Sequence, residues 1–193
     1  MSHANGARRR RGAVASVSGS PRGEAPRIRL ESLAAIAVFA VLVAAMTWPQ
    51  ALHLSSHATQ HQDIYFNMWR LAWFAHALAT SPSRLFDANI FYPEPRTLAL
   101  SDAMIVEGVA AAPLLWTGMN PILVHNIMLL GAIVLSGAAM YALVRYLTGS
   151  RGAGLLAGIV FAFAPYRVEH IMHPAPLVGQ VLLVLAQGPT GFR

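Results

Sequence analysis

The residues of this chain able to do chemistry are a small set of charged and imidazole side chains set in or beside apolar segments. Charge at membrane depth is costly, so each is a functional candidate. Asp63, Asn67 and Arg70 recur at i, i+4 and i+7 and share one face of a helix over 63–78. Asp63 also suits the N-cap of that helix, where a carboxylate accepts backbone N–H bonds at the positive end of the dipole. Asp102 and Glu107 lie five residues apart at the entrance of a short apolar segment. There Asp102 can cap the segment and Glu107 can snorkel to the surface, or both can line a substrate site. Arg70 and Arg167 are placed to meet phosphate, of a substrate or of lipid headgroups. His170 and His173, spaced i, i+3, can hold a divalent metal together with Glu169 or Asp63. Their simpler reading is a pair of interfacial histidines just after a span. His53, His57 and His61 recur every four residues and suit a solvated surface.

What must position these groups is a membrane-embedded helical frame. Of the 193 residues, 55% are hydrophobic and 11% charged, where soluble domains carry about 25% charge; the mean hydropathy is +0.49. The absence of cysteine excludes disulfide frameworks, thiolate nucleophiles and Cys-ligated metal centres. All 14 basic residues are arginine, and seven of them precede residue 31. Residues 1–30 read as a disordered tail. Arg8 to Arg11 have no aromatic or helical partner for nucleic acid, so they serve as a topology signal that holds the N-terminus in the cytoplasm.

The fold expected is all-α: a multi-span helical protein of the cell membrane, with an extracytoplasmic juxtamembrane loop that contains an interfacial helix. Spans are expected over about 31–52, 121–147 and 149–168. The first is read as an uncleaved signal anchor, because no clean small-x-small cleavage site follows it. Residues 63–78 form the interfacial helix, with Trp69 and Trp73 at headgroup level. Prolines at 82, 93 and 95 break the loop that follows. Residues 103–117 are short and apolar and make a re-entrant segment or a span. The re-entrant reading keeps Arg145 and Arg151 inside, as the positive-inside rule requires, and it lets Glu107 rest against protein or a cavity. Polar groups including His125 and Asn126 then gather on the outer face. Gly154 and Gly158 form a small-xxx-small pair for helix packing. An incomplete span follows at 176–187, and 188–193 form an irregular tail.

Three stretches carry a family resemblance. Gln62-Asp63-Ile64-Tyr65-Phe66-Asn67-Met68-Trp69 opens the external loop, Leu85-Phe86-Asp87-Ala88-Asn89-Ile90-Phe91-Tyr92-Pro93 continues it, and spans end at Tyr141-Ala142-Leu143-Val144-Arg145 and Phe161-Ala162-Phe163-Ala164-Pro165-Tyr166-Arg167. Over residues 31–180 this resembles the start of a polytopic GT-C superfamily membrane glycosyltransferase. The resemblance implies sugar transfer from a polyprenyl-phosphate donor on the extracytoplasmic side. It also implies an acidic residue of the first external loop, here Asp63, as base or metal ligand. Such a reaction needs a carboxylate to deprotonate or orient the acceptor and positive charge to stabilise the departing phosphate. Members of that family have many more spans, so the chain reads as a truncated or frameshifted product, inactive alone, with the face around Gly154 and Gly158 left unpaired. The rival reading is a non-catalytic accessory membrane protein or a transporter fragment, although no internal repeat supports a transporter.

Overall fold

The computed structural model describes residues 24–58 and 61–165, with side chains from Leu30 onward. Every regular element among them is helical. Five α-helices are present: α1 Glu24–Met46, α2 Gln62–Thr80, α3 Ile105–Trp116, α4 Pro121–Thr148 and α5 Arg151–Ala162. Short 3-10 turns lie at Gln50–Leu52, Pro82–Arg84 and Thr97–Leu100. Helix α1 already starts at Glu24, within the tail expected to be disordered. Ala, Arg, Leu and Glu are strong helix formers, and a proline two residues into a helix lies where its missing N–H has no intrahelical partner to lose.

Helix α4 is the axis of the molecule, 28 residues or about 42 Å long. Among the described residues it is the one helix long and apolar enough to cross a membrane. It is also well delimited. Asn120 Oδ1 accepts from the Ile122 N–H at 2.8 Å, Pro121 occupies the first turn, and Gly149 closes the helix at φ 70°. Only glycine takes that left-handed closure without strain. Ser150 then caps α5, its Oγ accepting from Ala153 N–H at 3.3 Å, so two residues suffice to reverse the chain.

Helices α1 and α5 pack on α4 through glycine and Phe39. A Cβ on Gly158 would lie 2.4 Å from Phe39 Cζ and 2.7 Å from the Gly137 carbonyl oxygen, and one on Gly137 would lie 2.6 Å from Phe39 Cδ1. One on Gly154 would lie 2.9 Å from the Tyr141 carbonyl oxygen. The face around Gly154 and Gly158 is therefore paired within this chain, against α4 and Phe39, and not left open. Backbones can approach this closely only where side chains are absent. Val43, Leu129, Ala132, Ile133 and Ala162 complete the buried apolar contact of the three helices.

Helices α2 and α3 form a second pair beside one end of this bundle. Phe74 lies directly over Gly108, where a Cβ would come within 2.4 Å of its ring. Leu71, Met104, Ala111 and Val124 join the pair to α4. Two tryptophans fasten it by their indole N–H groups, Trp116 to the Ala75 carbonyl and Trp73 to the Leu85 carbonyl, each at 2.9 Å.

The contacts also fix which ends meet. Beyond α1, Gln50 donates to Asn126 Oδ1 at 2.9 Å, while Asn126 Nδ2 donates to the carbonyls of Leu54 and His57 at 2.8 Å. Asn120 Nδ2 donates to the Ser55 carbonyl. At the opposite end, Glu31 of α1 meets Arg145 of α4 and Arg151 of α5. Helices α1 and α4 are thus antiparallel, and everything between them starts and finishes at the same end.

Candidate active site

Helix α2 brings Asp63, Asn67 and Arg70 to one side, but that side turns inward. Asn67 and Arg70 are 0% and 5% exposed. Helix α2 begins one residue before Asp63 and is capped by His61, whose Nδ1 accepts from the Asp63 N–H at 3.2 Å. Asp63 is therefore not the N-cap. It sits in the first turn, half-exposed, with its carboxylate 3.3 Å from His61 Nδ1. His53 and His57 lie ring to ring at a 40° tilt, with centroids 4.7 Å apart.

Arg70 is the centre of the site. Its guanidinium donates to Asn67 Oδ1 and to the backbone carbonyl of Asp102, and lies over the Phe66 ring at 4.6 Å. Its Nε is buried without a hydrogen-bond partner among the described residues. Burial pulls the pKa of the guanidinium down, and the charges of Asp102, Asp63 and Glu107 push it back up. The guanidinium is thus bonded directly to a neutral amide and a carbonyl, while its charge is balanced at longer range by three carboxylates.

Asp102 does not cap α3. Met104 holds the cap position in the left-handed region at φ 50° with no side-chain bond to the helix, and Asp102 is exposed. The carbonyl of Asp102 is taken by Arg70, which fixes the chain so that its carboxylate cannot reach back to the α3 amides. Glu107 does not snorkel: it is 4% exposed, in the first turn of α3. Arg70, Asp102 and Glu107 are thus gathered at the junction of α2 and α3, with Asp63 one to two turns away along α2. Arg167, Glu169, His170 and His173 lie outside the described residues, as do the expected ends of the 149–168 span and the 176–187 segment. Among the described residues no group of three His, Asp or Glu side chains is arranged to hold a metal ion.

One polar group was not singled out by spacing. His125, one turn into α4, is fully buried, and neither ring nitrogen has a hydrogen-bond partner among the described residues. The neighbouring Asn126 spends its amide on Gln50 and two loop carbonyls. A His-Asn pair at the start of a span was the available signal, since polar residues there seldom face lipid.

The loop over 82–104 is held in a strained course. Phe91, Arg96 and Met104 all have φ between 50° and 56°, a region costing about 1 kcal/mol or more for a residue with a Cβ. Asp87 stabilises it, accepting from Arg84 Nε at 3.1 Å and from the Arg96 N–H at 3.0 Å. Those two donors hold the Asp87 carboxyl below the usual carboxylate range. Thr97 Oγ1 adds a bond to the Ala88 carbonyl. The tip carries exposed Phe91 and Tyr92.

No protein-family model, no curated protein and no solved structure matches the chain.

Proposed function

We propose that this chain is the N-terminal region of a multi-pass membrane glycosyltransferase that takes sugar from a polyprenyl-phosphate donor at the extracytoplasmic end of the bundle. The observation carrying this reading is the buried Arg70 guanidinium, its Nε unpartnered among the described residues, held in the field of Asp63, Asp102 and Glu107. The acceptor hydroxyl would attack the anomeric carbon as the bond to the carrier phosphate breaks. Asp63, the half-exposed carboxylate, would take the hydroxyl proton. Arg70 would stabilise the departing phosphate, a planar guanidinium being suited to that anion.

Topology supports the same assignment. The arginine-rich stretch precedes α1, and Arg145 and Arg151 share the α1-start end with Glu31. Placing that end in the cytoplasm obeys the positive-inside rule and puts the Arg70 end outside. Helix α3, at 12 residues or about 18 Å, is too short to cross and fits a re-entrant segment.

A second reading is favoured by one observation. Arg70 spends its terminal nitrogens on Asn67 and the Asp102 carbonyl, as a purely structural strut would. The chain would then be a non-catalytic accessory protein or transporter fragment whose external loop is an interaction surface. Because the chain alone is expected to be inactive, the two separate in membranes that bear a full-length, active transferase containing this region and are supplied with radiolabelled polyprenyl-phosphate sugar. Asp63→Asn should abolish transfer while leaving helical content and melting unchanged. Wild-type transfer by the variant would remove Asp63 from the mechanism and favour the accessory reading.

A further inference from the structure

At the end of the bundle opposite Arg70, a groove runs between α1 and α4. Its apolar part, about 230 Å³, is lined by Ala35, Ile36, Leu135 and Ala138. Ser32, Tyr141 and Ala142 carry it into a second hollow of about 300 Å³ that is bounded by Glu31, Arg145 and Tyr146. An oily slot thus opens directly onto a charged head.

The charge there is unbalanced. A single carboxylate, Glu31, receives both Arg145, at 2.5 Å, and Arg151, which leaves one net positive charge. Arg151 is largely exposed and Arg145 partly so, so each retains N–H donors for a further anion. The hydroxyl-bearing Tyr146 is exposed beside them.

We propose that this groove binds one anionic phospholipid of the surrounding leaflet. An acyl chain lies along Ala35, Ile36, Leu135 and Ala138, and the phosphate sits on Arg145 and Arg151. The match is in polarity and sign, because the apolar slot ends where the surplus positive charge begins. A zwitterionic lipid fits the slot but brings its own cation to the arginines, so the site prefers a net-negative headgroup. The inference rests on the membrane-spanning reading of α1 and α4 and is independent of sugar transfer.

The test uses the full chain in a nonionic detergent, titrated with phosphatidylglycerol, phosphatidylcholine or inorganic phosphate, with the melting temperature read by circular dichroism. Phosphatidylglycerol should raise the melting temperature at concentrations about fivefold lower than phosphatidylcholine, and inorganic phosphate should have no effect. Arg151→Gln should weaken phosphatidylglycerol about fivefold, as expected for one arginine near a membrane surface. Ala142 is exposed at the junction of slot and head, so Ala142→Phe should block the acyl path and remove the preference. Far-UV spectra verify folding, and Ala142→Leu fills the same junction if the larger ring prevents it. Equal responses to the two lipids would overturn the proposal, as would full preference in both Ala142 variants, which would mean that another segment of the chain covers the groove. A response to inorganic phosphate equal to that of phosphatidylglycerol would reduce the site to an adventitious anion contact.

Discussion

The two ends of the helical frame are built on opposite charge logic. At one end a lone carboxylate, Glu31, is clasped by two arginines from α4 and α5. At the other a lone arginine, Arg70, sits in the field of three carboxylates and bonds to neutral oxygens. The Glu31 cluster joins three helices and remains wet enough to be screened, so it acts as a fastening. The Arg70 guanidinium and Glu107 are buried and Arg70 Nε lacks a partner among the described residues, so this end carries a desolvation cost. The same residue types thus meet as direct ion pairs at one end and as a buried cation bonded to neutral oxygens at the other.

Breaking the buried end should have the largest effect. Arg70→Ala removes one hydrogen bond from Asn67 Oδ1 and one from the Asp102 carbonyl and leaves Glu107 without its nearby cation, which should cost about 3 kcal/mol. Arg70→Lys should recover only part of that, since an ammonium cannot serve both acceptors in the plane of the Phe66 contact. Denaturant unfolding followed by tryptophan fluorescence measures both, and a loss under 1 kcal/mol for the alanine would show that the cluster is peripheral.

Packing between the ends comes next. Gly158→Ala drives a Cβ into Phe39 and the Gly137 carbonyl and should cost about 2 kcal/mol. Gly131→Ala, which meets nothing within 4 Å, should stabilise α4 by about 0.5 to 1 kcal/mol. Equal effects of the two alanines would mean that the notch around Phe39 is not tight.

The fastening should be worth less. Glu31→Gln removes a partly exposed pair of contacts and should cost about 1 kcal/mol or less, diminishing further at high salt. A loss as large as that of Arg70→Ala would erase the contrast between the ends.

The smallest effect concerns the loop over 82–104. Asp87 has its folded pKa depressed by Arg84 and the Arg96 N–H. Its contribution is therefore present above the ordinary carboxylate pKa and lost as pH falls through the depressed value. Limited proteolysis between residues 84 and 97 should accelerate only below about pH 4, and Asp87→Asn should show the acid rate already at neutral pH.

The helices were largely legible in the sequence because each has local signals. Asn120-Pro121 and Gly149-Ser150 bound α4 with cap chemistry, and the spacing of Asp63, Asn67 and Arg70 put them on one face. What the spacing did not carry was which way that face turns. A polar stripe at an interface points to water by default, yet Phe74 against Gly108 rotates the stripe of α2 inward. The capping roles expected of Asp63 and Asp102 failed for a related reason. His61 took the first, and the hydrogen bond from Arg70 to the Asp102 carbonyl withdrew the second. Glu31 went unnoticed because its partners are more than 110 residues away in the chain, a separation that periodicity does not report.

Placement of the two ends on opposite sides of a membrane is the claim on which both the transfer site and the lipid site depend. The chain has no cysteine, so single cysteines report accessibility without background. Ser83→Cys, exposed in the 82–104 loop, and Thr148→Cys, exposed at the end of α4, should be treated in intact cells with a membrane-impermeant maleimide. The account expects Ser83→Cys to be labelled at once and Thr148→Cys only after permeabilisation. The reverse order, or equal labelling at both positions in intact cells, would contradict it.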